Sequence, residues 1–125
     1  MKYLLLIYQD EKQWAGLSEA ERQKIYAEYG QLRQELVTKG QFVGGSQLHP
    51  VGTASSVRVR NGKELVTDGP FAETHEQLGG YFLVEAKNLD EALMIAARIP
   101  SAREGTVEVY VSAVNRSHIE LAEET

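Results

Sequence analysis

The sequence predicts an α+β domain with the element order strand, helix, strand, hairpin, strand, helix, strand. A nearly unbroken apolar and aromatic run at residues 2–8 is typical of a central, buried strand. Two other segments repeat apolar residues at helical spacing, each behind a residue that caps helices. Asn61-Gly62 lies between two alternating segments and is the strongest short signal for a hairpin. Without the hairpin, two strand-helix-strand units remain, which is the split arrangement of ferredoxin-like folds.

The first helix is predicted at residues 19–39. Ser18 and Glu21 form a capping box at its start, and Gly40 ends it. An apolar stripe recurs along it at spacings of four, three and four residues, so one face of the helix is expected to lie on the sheet. The stripe consists of Ile25, Tyr29, Leu32 and Leu36.

The segments on either side of this helix are a loop and a strand. Residues 9–17 are predicted to be a loop, in which Trp14 covers the core rather than stacking on a ligand. Residues 41–48 are predicted to be a strand that Gly44-Gly45-Ser46 interrupts. Glycines inside a strand indicate a bulge, or a close approach by another backbone or by a ligand, and these interpretations stay open.

The hairpin is predicted to pair residues 56–60 with residues 63–67. Its valines point to one side, and Arg58 and Arg60 point to the other. One interpretation is that these arginines form a solvated face, and the other is that they contact an anionic ligand or an acidic partner. The solvated face is favoured, because apolar and charged residues commonly alternate along strands that have one face in water.

The second half-unit is predicted to contain a strand at residues 81–86, a helix and a strand at residues 107–111. Asn88 is the predicted cap of the helix, with Glu91 as its capping-box partner. Residues after about Asn115 are polar and acidic, and are expected to be a frayed tail or a short terminal helix. The apolar face of the helix is predicted to consist of Leu89, Ala92, Leu93, Ala96 and Ile99.

The composition limits the classes of function. A chain of 125 residues with 42% hydrophobic and 25% charged residues fits one soluble domain. Its net charge of −5, from 13 basic and 18 acidic residues, argues against direct nucleic-acid binding. The absence of cysteine excludes disulfides, thiolate zinc sites and cysteine nucleophiles. The apolar start is too short to span a membrane and lacks a following cleavage site, so a cytoplasmic location is expected.

The stretch at residues 67–81, TDGPFAETHEQLGGY, combines turn residues, titratable groups and paired glycines. Pro70 cannot continue a strand ladder, and Gly69 supplies conformational freedom, so a rigid corner is predicted. Phe71 is predicted to anchor that corner in the core. Asp68 is interpreted mainly as a former of an Asx turn, with an acid or base role as the alternative.

This stretch also carries a resemblance to a known family. Together with the opening MKYLLLIY, its motifs make the chain resemble the DGPF branch of YCII-related proteins over roughly residues 1–112. The resemblance implies a single domain at residues 1–115 followed by a C-terminal tail at residues 116–125. The motifs are Asp68-Gly69-Pro70-Phe71, Ala72-Glu73-Thr74, Glu76-Gln77-Leu78-Gly79-Gly80-Tyr81, Asn88-Leu89-Asp90-Glu91-Ala92 and Ala97-Arg98-Ile99-Pro100.

The same resemblance implies a dimeric α+β barrel. In such proteins two sheets pack face to face, and pockets lie between sheet and helices or near the subunit seam. A homodimer is also predicted from the strand at residues 2–8, because it has apolar residues on both faces while both helices cover one face. Twofold association is the common way to cover the other face.

His75 is the best candidate for a general acid or base, with Asp68 as its predicted catalytic partner. A histidine titrates near neutral pH, and Asp68, Glu73 and Glu76 are close to it in sequence. The alternative is an exposed histidine without a chemical role. The resemblance implies a further alternative, because many DGPF relatives carry lysine at this position. In this alternative, residue 75 places a positive charge and does not transfer a proton, a role that either histidine or lysine can fill.

The broader family is proposed to use a histidine and aspartate pair, with the histidine on the first helix. Residues 19–39 contain no histidine, so this pair cannot be transferred to the chain and does not promote Asp68.

A pocket is predicted near the DGPF loop. Its lining is predicted to include Tyr8, His49, Glu73 and Tyr81, together with Asp68 and His75. Tyr26 and Tyr29 are further candidates for the lining, but ordinary packing in the core or an interface is favoured for them. No metal or cofactor is expected, because His49, His75 and His118 show no paired spacing and no glycine-rich phosphate loop precedes a helix.

Two functions remain open from the sequence. The first is an enzyme of proton-transfer, isomerase or lyase type acting on a small organic molecule, which needs a closed pocket. The second is a non-enzymatic ligand-binding or regulatory module linked to a sigma factor of the extracytoplasmic-function class, a link that the resemblance implies. The second function needs an exposed partner surface.

Overall fold

The computed structural model describes residues 1–113, so the predicted tail at residues 116–125 and His118 lie outside the described residues. Within this part, two short 3-10 helices cover Val51–Thr53 and Pro100–Arg103. No helix of the described part is both long enough and apolar enough to cross a membrane. The other elements are β1 (Lys2–Gln9), α1 (Glu11–Ala15), α2 (Glu19–Thr38), β2 (Phe42–Gln47), β3 (Ser55–Arg60), β4 (Lys63–Asp68), β5 (Gln77–Glu85), α3 (Leu89–Ala97) and β6 (Thr106–Val111).

The main sheet has four antiparallel strands in the order β2-β5-β1-β6. The apolar strand β1 lies inside the sheet, as its sequence predicts. Strands β3 and β4 form a separate hairpin, with positive φ at Asn61 and Gly62 as a type I′ turn requires. The chain is therefore an α+β protein with an antiparallel sheet, compatible with a ferredoxin-like fold.

One face of the sheet carries the core. Alternate residues of β1 are buried there, because side chains of a strand point to opposite faces in turn. Both long helices contribute to the core from the same side, since Leu32 and Leu36 of α2 and Ile95 of α3 pack into it. The buried residues of β1 are Tyr3, Leu5 and Ile7, each no more than 5% exposed.

Helix α2 begins and ends as predicted. The Ser18 hydroxyl accepts a hydrogen bond from the Glu21 amide, and the Glu21 carboxylate accepts one from the Ser18 amide, both at 3.1 Å. Gly40, at a φ of +71°, follows the helix in the left-handed conformation that ends many helices. Of the predicted stripe, Leu32 and Leu36 are buried, and Ile25 and Tyr29 are half-buried.

Two local predictions around the helices are wrong. The segment 9–17 is not only loop, because the short helix α1 forms there and Asp10 caps it by accepting from the Lys12 amide at 2.9 Å. In α3, the Asn88 side chain accepts from the Glu91 amide as predicted. The Glu91 carboxylate, however, accepts from the Lys87 amide and from Gln41 rather than closing the capping box.

The predicted apolar face of α3 is confirmed only in part. Ala92, Ala96 and Ile99 are buried, whereas Leu89 and Leu93 are 46% and 47% exposed. Ile95, which the prediction omits, is buried instead. The buried residues have the spacing i, i+3, i+4, i+7, which is typical of one helical face. The face in contact with the sheet therefore includes Ile95 and excludes Leu89 and Leu93.

Candidate functional site

A cavity of about 370 Å³ lies between α2 and the β2 side of the main sheet. This volume is within the range of small-molecule pockets, roughly 300–1,000 Å³. Five elements contribute to it, with aromatic side chains, glycines and amides predominating. The lining residues are Ile7, Gln9, Trp14, Tyr26, Tyr29, Gly30, Arg33, Phe42, Gly45, Ser46, Gln47, Gly79, Gly80 and Phe82.

Gly30 opens the cavity from the helix side. A glycine in the middle of a helix costs about 0.5–1 kcal/mol relative to alanine. A Cβ atom at Gly30 would meet no atom within 4 Å, so this position leaves free space rather than a packed contact. Tyr26, Gly30 and Arg33 have the spacing i, i+4, i+7 and therefore share one face of α2 along the cavity.

The glycines on the sheet side have a different role. A Cβ atom at Gly45 would lie 2.8 Å from the Tyr81 carbonyl oxygen, and one at Gly80 would lie 2.8 Å from the Ser46 carbonyl oxygen. The register of β2 also shifts between Phe42 and Gly44. The interrupted strand thus contains both a bulge and a close approach by a neighbouring backbone.

Aromatic contacts form the walls of the cavity. Phe42 and Phe82 meet edge to face with ring centroids 5.5 Å apart, and Tyr29 lies against Phe82 at 6.2 Å. Trp14 meets Tyr26 edge to face at 5.5 Å. Trp14 is half-buried and lines the cavity, so α1 contributes to one of its walls. Such edge-to-face pairs hold the rings in defined positions.

Among the described residues that line the cavity, Arg33 is the only charged one. Its guanidinium carbon lies 5.1 Å from the centroid of the Phe42 ring, a cation–π contact. In residues 1–113, Arg22, Arg98 and Arg103 each pair with a carboxylate, whereas Arg33 forms no ion pair. The cavity therefore carries one positive charge that no carboxylate of the described part neutralises.

A hydrogen-bond chain joins two lining residues of the cavity, Tyr29 and Gln9, through Ser101. The Ser101 hydroxyl donates to Gln9 Oε1 at 3.0 Å, so the phenol of Tyr29, 2.7 Å from Ser101 Oγ, acts as the donor to Ser101. Burial raises the pKa of Tyr29, and the hydrogen bond with Ser101 offsets part of that rise. Tyr29 is therefore a neutral phenol near pH 7.

A second phenol lies at the exposed edge. The amide of Gln47 donates to Tyr26 Oη at 3.2 Å and connects β2 to α2 across the cavity. Because the oxygen of Tyr26 accepts this bond, its hydroxyl proton is free to donate to another group.

The structure places the predicted catalytic residues elsewhere. Asp68 ends β4, and Glu73 and His75 lie in the segment between β4 and β5, where all three are exposed. None of them lines the cavity. Their catalytic and pocket-lining roles stay predictions.

The corner at Gly69 is held by its backbone. Gly69 has a φ of +89°, its amide donates to the Ala54 carbonyl at 2.6 Å, and its own carbonyl accepts from Ser56 at 2.8 Å. The prediction that Phe71 is buried is wrong, because its side chain is 80% exposed. The backbone contacts with the start of β3 hold this corner without an aromatic anchor.

The other predicted lining residues divide between two faces. Tyr26 and Tyr29 line the cavity. Tyr81 pairs in register with Leu6 on the sheet face opposite the core, and Tyr8 lies on that face beside Glu108. His49 is exposed after β2, and neither it nor Tyr8 nor Tyr81 lines the cavity.

Trp14, Gly30 and Arg33 line the cavity, although the lining predicted from the sequence does not include them. A signal for two of them exists, because a mid-helix glycine lies on the same helical face as an arginine and a tyrosine. The described residues contain no group of three or more histidine, aspartate or glutamate side chains that is placed to hold a metal ion.

Comparison with known proteins identifies the family. The model of the YCII-related domain matches residues 1–113. The chain is also similar to the uncharacterized protein R00369 of Rhizobium meliloti (strain 1021), with 34% identity over 106 residues, covering 85% of this chain and 86% of that protein. The chain belongs to the YCII-related domain family.

Proposed function

We propose that the protein binds a small organic molecule in the cavity between α2 and the sheet. The observation that carries this proposal is the combination of a cavity of about 370 Å³ with a mid-helix glycine that leaves it open. Gly30 lowers helix stability and provides no packing contact in return, so free space at this position is consistent with a functional requirement. Few polar groups among aromatic walls are typical of small-molecule sites.

Intrinsic fluorescence offers a direct test, because Trp14 is the single tryptophan of the chain and lines the cavity. A library of small fragments should contain compounds that shift or quench the Trp14 emission in a saturable way. Gly30→Leu, which places a side chain into the cavity, should abolish that response.

Gln31→Leu is the matched control, since it adds leucine at the next position of α2, where the side chain is exposed. It should bind the fragments as the wild type does. A library without any saturable ligand, or equal binding by the Gly30→Leu variant, would contradict the proposal.

The enzymatic form of this function adds proton transfer, isomerisation or lyase chemistry. Its predicted residues, Asp68 and His75, lie outside the cavity, so they would act on a substrate bound near the corner that follows β4. His75→Gln should then leave the melting temperature unchanged, because the side chain is exposed, and should abolish turnover of any substrate found. Turnover that survives this substitution would exclude His75.

A second candidate is the regulatory module, and the hairpin supports it. Val57, Val59 and Val66 lie on one side of the hairpin and are 59%, 61% and 58% exposed. An isolated two-stranded hairpin is marginally stable, so a partner that covers this side would stabilise it. Purified sigma factor of the extracytoplasmic-function class should bind the wild type and not a Val57→Glu, Val66→Glu variant. Absence of binding to the wild type would exclude this partner.

A further inference from the structure

We propose that the ligand of the cavity is an organic monoanion with a flat apolar body, and that its carboxylate pairs with Arg33. This inference rests on the proposed function and specifies the chemistry of the ligand. If the proposal is right, the cavity prefers ligands that are negatively charged and flat.

The charge follows from the lining. Arg33 supplies a full positive charge, and no aspartate or glutamate among residues 1–113 lines the cavity. The protein as a whole has a net charge of −5, so the charge of this lining is opposite in sign to that of the whole protein. A planar guanidinium matches a carboxylate with two parallel hydrogen bonds. A phosphate dianion would leave one of its charges without a partner among the lining residues.

The shape follows from the rings. Phe42 and Phe82 on the sheet side and Trp14 of α1 present aromatic surfaces. Aromatic walls favour a flat ligand because rings stack or meet edge to face at defined distances. The free space at Gly30 leaves room for such a body against the helix.

The length follows from the helix. Tyr26 and Arg33 are seven residues apart, which corresponds to about 10 Å along the axis of α2. The free hydroxyl proton of Tyr26 can donate to an oxygen at the far end of a ligand whose carboxylate contacts Arg33. An arylalkanoic acid with a second oxygen opposite its carboxylate fits both ends.

The experiment uses matched pairs of ligands and isothermal titration calorimetry. A panel of aryl acids, including 3-(4-hydroxyphenyl)propanoate, is compared with the corresponding neutral amides and with phenyl phosphate. The acids should bind the wild-type protein at least about tenfold more tightly than the amides, because the acids form charge-assisted hydrogen bonds. Phenyl phosphate should bind more weakly than the acids.

Arg33→Gln should remove the preference for acids, and Arg33→Lys should retain part of it. Arg58→Gln is the control, since Arg58 lies on the hairpin and does not line the cavity, and it should bind as the wild type does. One outcome would overturn the ligand class and leave the proposed function intact. In it, acids and amides bind equally, Arg33→Gln has no effect on binding, and Gly30→Leu blocks the binding of both. Binding of phenyl phosphate above that of the acids would also overturn the ligand class. Absence of binding by every member of the panel would overturn the ligand class, whereas the proposed function is decided by the fragment library and its Trp14 readout.

Discussion

The phenol of Tyr29 lies 2.7 Å from the hydroxyl of Ser101 and connects the middle of α2 to the short 3-10 helix after α3. Ser101 in turn donates to Gln9 at the end of β1. Three segments that are distant in sequence therefore meet at one wall of the cavity. The position of Tyr29 relative to the sheet depends on this polar chain as well as on the contact of its ring with Phe82.

Removal of the Tyr29 hydroxyl should destabilise the protein without closing the cavity. Tyr29→Phe keeps the ring but removes the donor to Ser101, so the free energy of unfolding should fall by about 0.5–1.5 kcal/mol. Urea unfolding measures this change. Ser101→Ala and the double variant complete a mutant cycle, in which the double variant should lose less than the sum of the single losses. Fully additive losses would show that the hydrogen bond does not couple these residues.

The stability of the protein should decrease in alkaline solution because the pKa values of Tyr8, Tyr29 and Tyr110 are raised in the folded state. Burial raises the pKa of Tyr29 above 10.0. The pKa of Tyr8 is also raised above this value, mainly by burial and to a smaller extent by the hydrogen bond with Glu108. Each folded phenol thus retains its proton at pH values where the unfolded phenol has lost it. The contribution of these phenols to the free energy of unfolding is complete below pH 10 and is lost as the pH rises through their pKa in the folded state. Unfolding by urea at several pH values above 10 should show this fall, and Tyr29→Phe should make it shallower. A stability that stays constant or rises over that range would contradict the prediction.

Gly30→Ala should stabilise the fold while it narrows the cavity. The Cβ atom would meet no atom within 4 Å, so the helix gains about 0.5–1 kcal/mol without a clash. Thermal unfolding measures the gain, and Ala27→Gly, at an exposed position of the same helix, should lose a similar amount. Destabilisation by Gly30→Ala would mean that the space beside this residue is not free.

Local patterns predict much of this fold. The capping box of Ser18 and Glu21, the turn at Asn61-Gly62 and the central position of β1 depend on neighbours in sequence, and all three are confirmed. The cavity could not be predicted in the same way, because Arg33 reaches it only through the placement of α2 over Phe42. That placement depends on contacts between residues far apart in the chain.

The exposure of Phe71 has a similar cause. An aromatic residue after Gly69-Pro70 looks like an anchor when only the local pattern is known. The burial of a loop residue, however, depends on what the loop packs against, and here the Gly69 backbone bonds to Ala54 and Ser56 hold the corner. The sequence contains no local signal for that pairing.

Phe71→Ala should therefore change stability little. A side chain that is 80% exposed loses few contacts on truncation, so the free energy of unfolding should change by no more than about 0.5 kcal/mol. Phe82→Ala is the matched control, because Phe82 is 8% exposed and its removal from the core should cost about 3–5 kcal/mol. Chemical unfolding of both variants makes the comparison. A loss at Phe71 as large as that at Phe82 would indicate that a partner covers the loop in solution.

In residues 1–113, the sheet face opposite the core presents an apolar surface that we propose a second copy of the chain covers. Leu4 and Leu6 of β1 are only half-buried there, and they pair in register with Leu83 and Tyr81 of β5. Both long helices lie on the other face of the sheet. On the open face, Tyr110 donates to the Glu108 carboxylate at 3.2 Å. A second sheet can cover this acidic group at lower cost because a phenol already binds it.

Twofold association of this face, as in an α+β barrel, predicts a homodimer. Light scattering coupled to size exclusion should give about twice the chain mass of 13.9 kDa at low micromolar concentration. Leu83→Glu places a charge in the centre of the interface and should yield a monomer, since an unpaired charge between apolar sheets is strongly unfavourable. Leu93→Glu is the control, because Leu93 lies exposed on α3 on the opposite side of the sheet, and this variant should remain dimeric. A wild-type monomer, or a Leu83→Glu variant that is still dimeric, would exclude the open face as the interface.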